Sequence, residues 1–202
     1  PGMARRGAAG HGMGKKQKQQ TTGDTEQMET YQVTLTGETP LLHHNHNLDW
    51  MAFIAKWTKD PANAKLSKAG DDRTPGFMWI GHLYHVNGVA VMPSDNLMTM
   101  LREGGKKCPT GKGKETFGRL TQSGIVVDQT EWAIIDPHTS KPYSVDGLDA
   151  MATVNDYERH EAWAAERGFS LFAKGARVNQ TKHVRVRPRF DRWTVTGTMT
   201  VL

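Results

Sequence analysis

The chain has 202 residues, with 26 Lys and Arg against 21 Asp and Glu, a formal charge of +5 and a pI near 9.4. That length suits one well-buried core with a tail better than two domains. The charge speaks to partners: it favours polyanions such as nucleic acid or an anionic membrane surface, with an ordinary protein bearing a basic tail as the plain alternative. The lone Cys108 excludes an internal disulfide framework and a Cys-based zinc site, and fits a reducing compartment. No run approaches the roughly 18 apolar residues that span a bilayer. The basic N-terminal stretch lacks the apolar segment of a secretory signal, so an intracellular location is expected.

Residues 1–27 carry Arg5, Arg6, Lys15, Lys16 and Lys18 amid Gly, Ala, Gln and Thr, with no acid before Asp24. Too little there is apolar to offset the entropy of ordering, which predicts a disordered basic arm. Its role is either sequence-independent contact with phosphates or that of a solvated tail. A folded domain is expected over 28–202. Tyr31, Val33 and Leu35 alternate with Gln32, Thr34 and Thr36, the period of a half-buried strand that Gly37 and Pro40 end. Leu48 to Trp57 has helical spacing, with Asn47 as its cap and Asp49 near its positive end. Asp60 to Pro75 is a polar loop. Phe77 to Tyr84 is expected as a strand, followed by an Asn87-Gly88 hairpin turn and a returning strand at Val89 to Met92. Ser94 is expected to cap a helix that buries Leu97, Met98 and Leu101 and ends at Gly104-Gly105.

Farther on, Ile125 to Val127 and Trp132 to Ile135 are expected to pair as short strands. Asp136 to Gly147 is turn-rich, a helix is expected over Val154 to Arg167, and a strand region begins at Phe169 to Phe172. Val184 and Val186 alternate with basic residues until Pro188 interrupts. The final segment has the cleanest alternation: Trp193, Val195, Gly197, Met199 and Val201 on one face, and Thr194, Thr196, Thr198 and Thr200 on the other. There is no internal repeat. The order predicts an α+β domain with a single antiparallel sheet and helices on one face, the ferredoxin-like or RRM-like plan.

The densest chemistry lies between Lys174 and Trp193, where Lys174, Arg177, Lys182, Arg185, Arg187, Arg189 and Arg192 face the single acid Asp191. On an extended strand His183, Arg185 and Arg187 project from one face at about 6.5–7 Å intervals, close to the phosphate repeat of an extended single strand. Guanidinium adds a planar fork for phosphate and a flat face for bases. Phe190 and Trp193 are candidates to stack on bases, worth about 1–3 kcal/mol each where exposed. The competing reading makes both aromatics core residues and lets the arginines blunt a sheet edge. A second basic cluster, Lys106, Lys107, Lys112, Lys114 and Arg119, fills a glycine-rich loop. It is not a nucleotide-triphosphate loop: no Gly stands five residues before a Gly-Lys-Ser/Thr triplet, and the loop follows a helix. A basic finger that closes over a nucleic-acid strand fits it better.

His43, His44 and His46, with His82 and His85 farther on, suggest transition-metal ligands. Adjacent His43 and His44 would point to opposite sides of an extended chain, there is no His-Glu-x-x-His, and nothing fixes a third ligand, so no metal is assigned. The alternative has His44 and Asn45 hydrogen-bonding the backbone where the first strand ends, shaping a functional loop. No Gly-x-Ser-x-Gly elbow occurs, and Asp71, Asp72, Asp146 and Asp149 are turn residues without an evident partner. No catalytic residue and no cofactor are assigned.

On these residues the chain resembles a group of uncharacterised phage and prophage proteins. The shared elements are the first strand running into Pro40-Leu41-Leu42 and His44-Asn45, an aromatic segment with Gly81 and Tyr84, Gly88 before a strand leading to Pro93 and its helix, the basic loop, and Arg187-Pro188-Arg189-Phe190-Asp191-Arg192-Trp193 entering a late strand. The likeness spans roughly Tyr31 to Val201. That group in turn is similar to the RAMP superfamily, whose RRM-like domains form the guide-RNA-binding backbone subunits of class 1 CRISPR effector complexes. The resemblance implies that the Pro40 to Asn45 loop, the finger from Lys106 to Arg119 and the arginine row face nucleic acid. It departs at His43, where an apolar residue is expected. The helix and strand that would close such a domain after Leu202 are missing, so the chain is expected to be truncated or to complete its sheet with a partner. The expectation is a non-catalytic binder of single-stranded RNA or DNA, a homo-oligomer or filament without membrane contact, in the cytoplasm of a phage-infected or lysogenic bacterium. Its rivals are a virion or assembly protein whose basic tail touches DNA, and a metal-dependent nuclease using the histidines.

Overall fold

The first and last expected strands both form, and they find each other. In a computed structural model that describes residues 28–64, 75–178 and 181–202, with side chains at all of these except 64, 176–178 and 181–183, β1 (Glu29–Thr36) pairs antiparallel with β11 (Thr194–Val201) over its whole length. The expected basic arm lies outside the described residues. Thr30 meets Thr200 at 2.9 Å, Thr34 meets Thr196 at 2.9 Å and Thr36 meets Thr194 at 3.3 Å, a row of hydroxyl pairs on the polar face. The opposite face buries Val195 and Met199. Gly197 lies against Trp132, and a Cβ there would stand 2.2 Å from the indole.

The strands do not gather into a single sheet. β5 (Ile125–Val127) and β7 (Ile135–Asp136) also pair with β11, and β7 carries β8 (Lys141–Pro142). A second antiparallel sheet has the order β2 (Leu41–Leu42), β10 (Thr181–Phe190), β9 (Ser170–Val178). A third joins β3 (His85–Val86), β4 (Val89–Pro93) and β6 (Glu131–Ala133). The two strands expected to pair around Asp128 therefore do not: one goes to β11, the other to β4. Neither is long enough for its pattern to name a partner.

Helices α1 (Leu48–Lys59), α3 (Ser94–Gly105) and α6 (Tyr157–Glu166) fall close to expectation. Asn47 accepts from Trp50 N–H at 3.0 Å as the cap of α1. Ser94 is the first residue of α3 instead of its cap, and Pro93 precedes it without a side-chain bond. Short helices α2 (Pro61–Ala64), α4 (Gly118–Ser123) and α5 (Leu148–Met151) complete the set. The expected strand at Phe77 to Tyr84 is a 3-10 helix over Met78–His82. Every residue of that helix is buried, and an apolar run buried on all sides carries no period by which to tell strand from helix.

Pro188 does not break β10. Its carbonyl accepts from His43 N–H at 3.0 Å, on the side of β2. A residue's N–H and C=O share one side of an antiparallel strand, so the missing N–H leaves the ladder with β9 intact. Val186, Pro188 and Phe190 enter the core. There Phe190 and Phe169 lie 5.3 Å apart, and Phe169 reaches Trp79. Trp79 Nε1 donates to His160 Nδ1 at 3.0 Å, and His160 Nε2 donates to the Val154 carbonyl at 2.7 Å, so this buried imidazole is satisfied. Among the described residues no helix is long and apolar enough to cross a membrane.

Candidate nucleic-acid interface

Burial of Val186, Pro188 and Phe190 on one face of β10 puts Arg185, Arg187 and Arg189 together on the other, half-exposed. Register adds β9 to this face: Lys174 stands opposite Arg185, Phe172 opposite Arg187 and Ser170 opposite Arg189. Lys174, Arg185 and Arg187, with Phe172 and Leu42, line a hollow of about 290 Å³. Among the described residues none of these three cations has a carboxylate partner. The Arg187 Nε is also buried without a hydrogen-bond acceptor, a cost that a bound anion would remove. Arg189 differs. Its Nε bonds Asp191 at 2.6 Å, and its guanidinium sits 5.9 Å from the Phe172 ring.

The segment from His43 to Asn47 leaves β2 and is tied down against the 3-10 helix. Asn45 N–H donates to the His82 carbonyl at 2.9 Å and its side-chain amide donates to the Leu83 carbonyl at 3.2 Å. His82 Nδ1 donates back to the Asn45 carbonyl at 3.0 Å. Asn45 thus shapes the loop, and its side chain is spent on protein. His44 lies 5.3 Å from His82, ring to ring. Burial, then the nearby charges of Arg187, Arg185 and His46, hold His44 below the ordinary imidazole value. His82 is lowered chiefly by burial, with His44, Arg187 and Arg185 adding to this and the Asn45 carbonyl opposing it. Both rings therefore sense the arginine face. His43 is different again: it is buried between Tyr84 and Phe190, and burial pushes its pKa down to about 3. Tyr84 N–H donates to His43 Nδ1 at 3.2 Å, so Nε2 carries the hydrogen, without a partner among the described residues.

A second hollow, of about 370 Å³, lies between this loop and α3. Leu41, His43, His44 and Tyr84 line it together with Met92, Asn96, Met100 and Trp193. Leu42 borders both hollows, so they are neighbours. The Trp193 indole is fixed: Nε1 donates to the Thr39 carbonyl at 2.9 Å, and the ring occupies the space a Cβ of Gly37 would need.

Several expected site residues lie elsewhere. Lys106, Lys107, Lys112, Lys114 and Arg119 are exposed around the turn from α3 to α4, line neither hollow, and Lys106 pairs with Glu103 at 2.6 Å. Arg192 is exposed in the turn after β10, where its carbonyl accepts from Tyr143 O–H at 2.7 Å. Arg177 and Lys182 are cross-strand neighbours of β9 and β10, and their side chains, like that of His183, lie outside the described ones. Phe190 is fully buried and unable to stack on a base. Asn96, Met100 and Phe172 were not singled out in the sequence, and Tyr84 was noted there as a shared element but not as a site residue. They reach the groove from three places in the fold: Tyr84 after the 3-10 helix, Asn96 and Met100 one turn apart on α3, and Phe172 on β9, opposite Arg187. No three of His, Cys, Asp and Glu gather as metal ligands among the described residues. Compared with family models, curated proteins and solved structures, the chain matches none of them.

Proposed function

We propose that this protein binds single-stranded nucleic acid, RNA or DNA, without catalysis, along the outer face of β9 and β10. The observation that carries the reading is the convergence of Lys174, Arg185 and Arg187 on one hollow with no carboxylate partner among the described residues. Unpaired guanidiniums in a row suit a phosphate backbone, and their spacing of about 7 Å along the strand suits an extended one. The likeness to phage proteins and the RAMP superfamily belongs to this reading; the basic sheet face favours it, whereas three separate sheets depart from one continuous RRM-like sheet. Assembly into homo-oligomers is part of the proposal too. It draws support from the outer edge of β1, an eight-residue strand with no neighbour on that side among the described residues.

The test is fluorescence anisotropy with matched single-stranded RNA, single-stranded DNA and duplex over a salt series. Single strands are expected to bind tighter than duplex, with affinity falling steeply as salt rises. Arg187→Ala should weaken binding and lower the salt slope by about 0.7, while Arg189→Ala, already engaged by Asp191, should change it far less. Absence of salt-sensitive binding, or equal effects of the two substitutions, would refute the assignment.

A further inference from the structure

We infer that the hollow between α3 and the His43–His44 loop is a nucleobase subsite, holding one base of the strand whose phosphate lies on Arg185 and Arg187. This deepens the single-strand reading and rests on it. Four features select the occupant. The hollow measures about 370 Å³, within the range of small-ligand sites. Its walls offer Tyr84 and the immobilised Trp193 as aromatic surfaces, and Met100 stands 45% exposed, an apolar side chain left uncovered. Asn96, exposed and without a hydrogen-bond partner among the described residues, presents both a donor and an acceptor at the rim. Buried His43 adds an N–H with no acceptor.

A flat ring with a polar edge matches this combination, because single-stranded bases are recognised by stacking on aromatics and by hydrogen bonds along their edges. An aliphatic or purely anionic ligand would use only part of it. The shared border at Leu42 supplies the connection. A base in one hollow and its phosphate in the other are adjacent groups of one nucleotide, so the two sites take a single ligand.

The experiment compares an intact single strand with an abasic strand of equal length, by anisotropy at low salt, together with a panel of homopolymers. The intact strand is expected to bind about tenfold tighter than the abasic one. Asn96→Ala should reorder the homopolymer preferences and leave abasic binding unchanged; Met100→Gln should narrow the gap between intact and abasic strands. Arg187→Ala should weaken all of them alike. Equal binding of intact and abasic strands by the unmodified protein overturns the base subsite while the cationic face stands. Binding of neither strand overturns both.

Discussion

His43 shows what a single buried ring contributes. The ring Nδ1 accepts from Tyr84 N–H and the backbone N–H of the same residue donates to the Pro188 carbonyl, so His43 links β2, β10 and the end of the 3-10 helix. An apolar residue at this position would fill the space and lose the acceptor for Tyr84. The ring is held neutral, with a pKa of about 3 against an ordinary 6.5. Below about pH 6.5 the unfolded chain therefore binds a proton that the native state refuses, and stability falls as pH falls, by up to about 1.4 kcal/mol per pH unit from this one group. Urea unfolding between pH 7 and pH 4 is expected to show that loss, and His43→Asn should flatten it, whatever its effect at pH 7. An unchanged slope would mean the ring does not stay neutral. The arginines carry a related lesson. The alternation of Val184 and Val186 already placed Arg185 and Arg187 on one face, but nothing local said that Asp191 would take Arg189 and leave the other two without a carboxylate among the described residues.

At the scale of elements, the long strands were legible because their apolar and polar residues alternate, from Thr30 to Thr36 in β1 and over the whole of β11. Three-residue strands such as β5 and β6 were legible as strands and illegible as partners, since pairing depends on where the rest of the chain puts them. The run from Phe77 to Leu83 misled for the opposite reason: burial on every side erased the period. Gly197 is where these elements lock. It lets Trp132, from the sheet of β4 and β6, press against β11. Gly197→Ala is expected to cost about 1–3 kcal/mol, the usual cost of overpacking, measurable as a lower urea midpoint with an unaltered m-value. A neutral result would show that the indole can retreat.

For the whole molecule, the sequence's two basic clusters resolve into one groove and one separate patch. The turn after α3 begins at the end of that helix away from Asn96, and α3 is about 18 Å long, so on the proposed binding mode Lys107, Lys112 and Lys114 would reach a strand only beyond its first nucleotides. Replacing Lys112 and Lys114 with Ala should weaken long oligonucleotides several-fold and leave the shortest ones unaffected, by competition anisotropy across a length series. Equal losses at every length would place those lysines in the groove itself. The groove was half-visible beforehand: its cations cluster in sequence, whereas its other wall joins Tyr84 to Asn96 and Met100, a pair at helical spacing on α3 that nothing local connects to Tyr84. Trp193 closes that wall, and its ring rests where Gly37 ends the first strand. A ligand pushing on the indole thus loads the whole seam of threonine rungs between β1 and β11, so the groove can open no wider than that zipper permits. Its rigidity is borrowed from the opening and closing strands of the described fold.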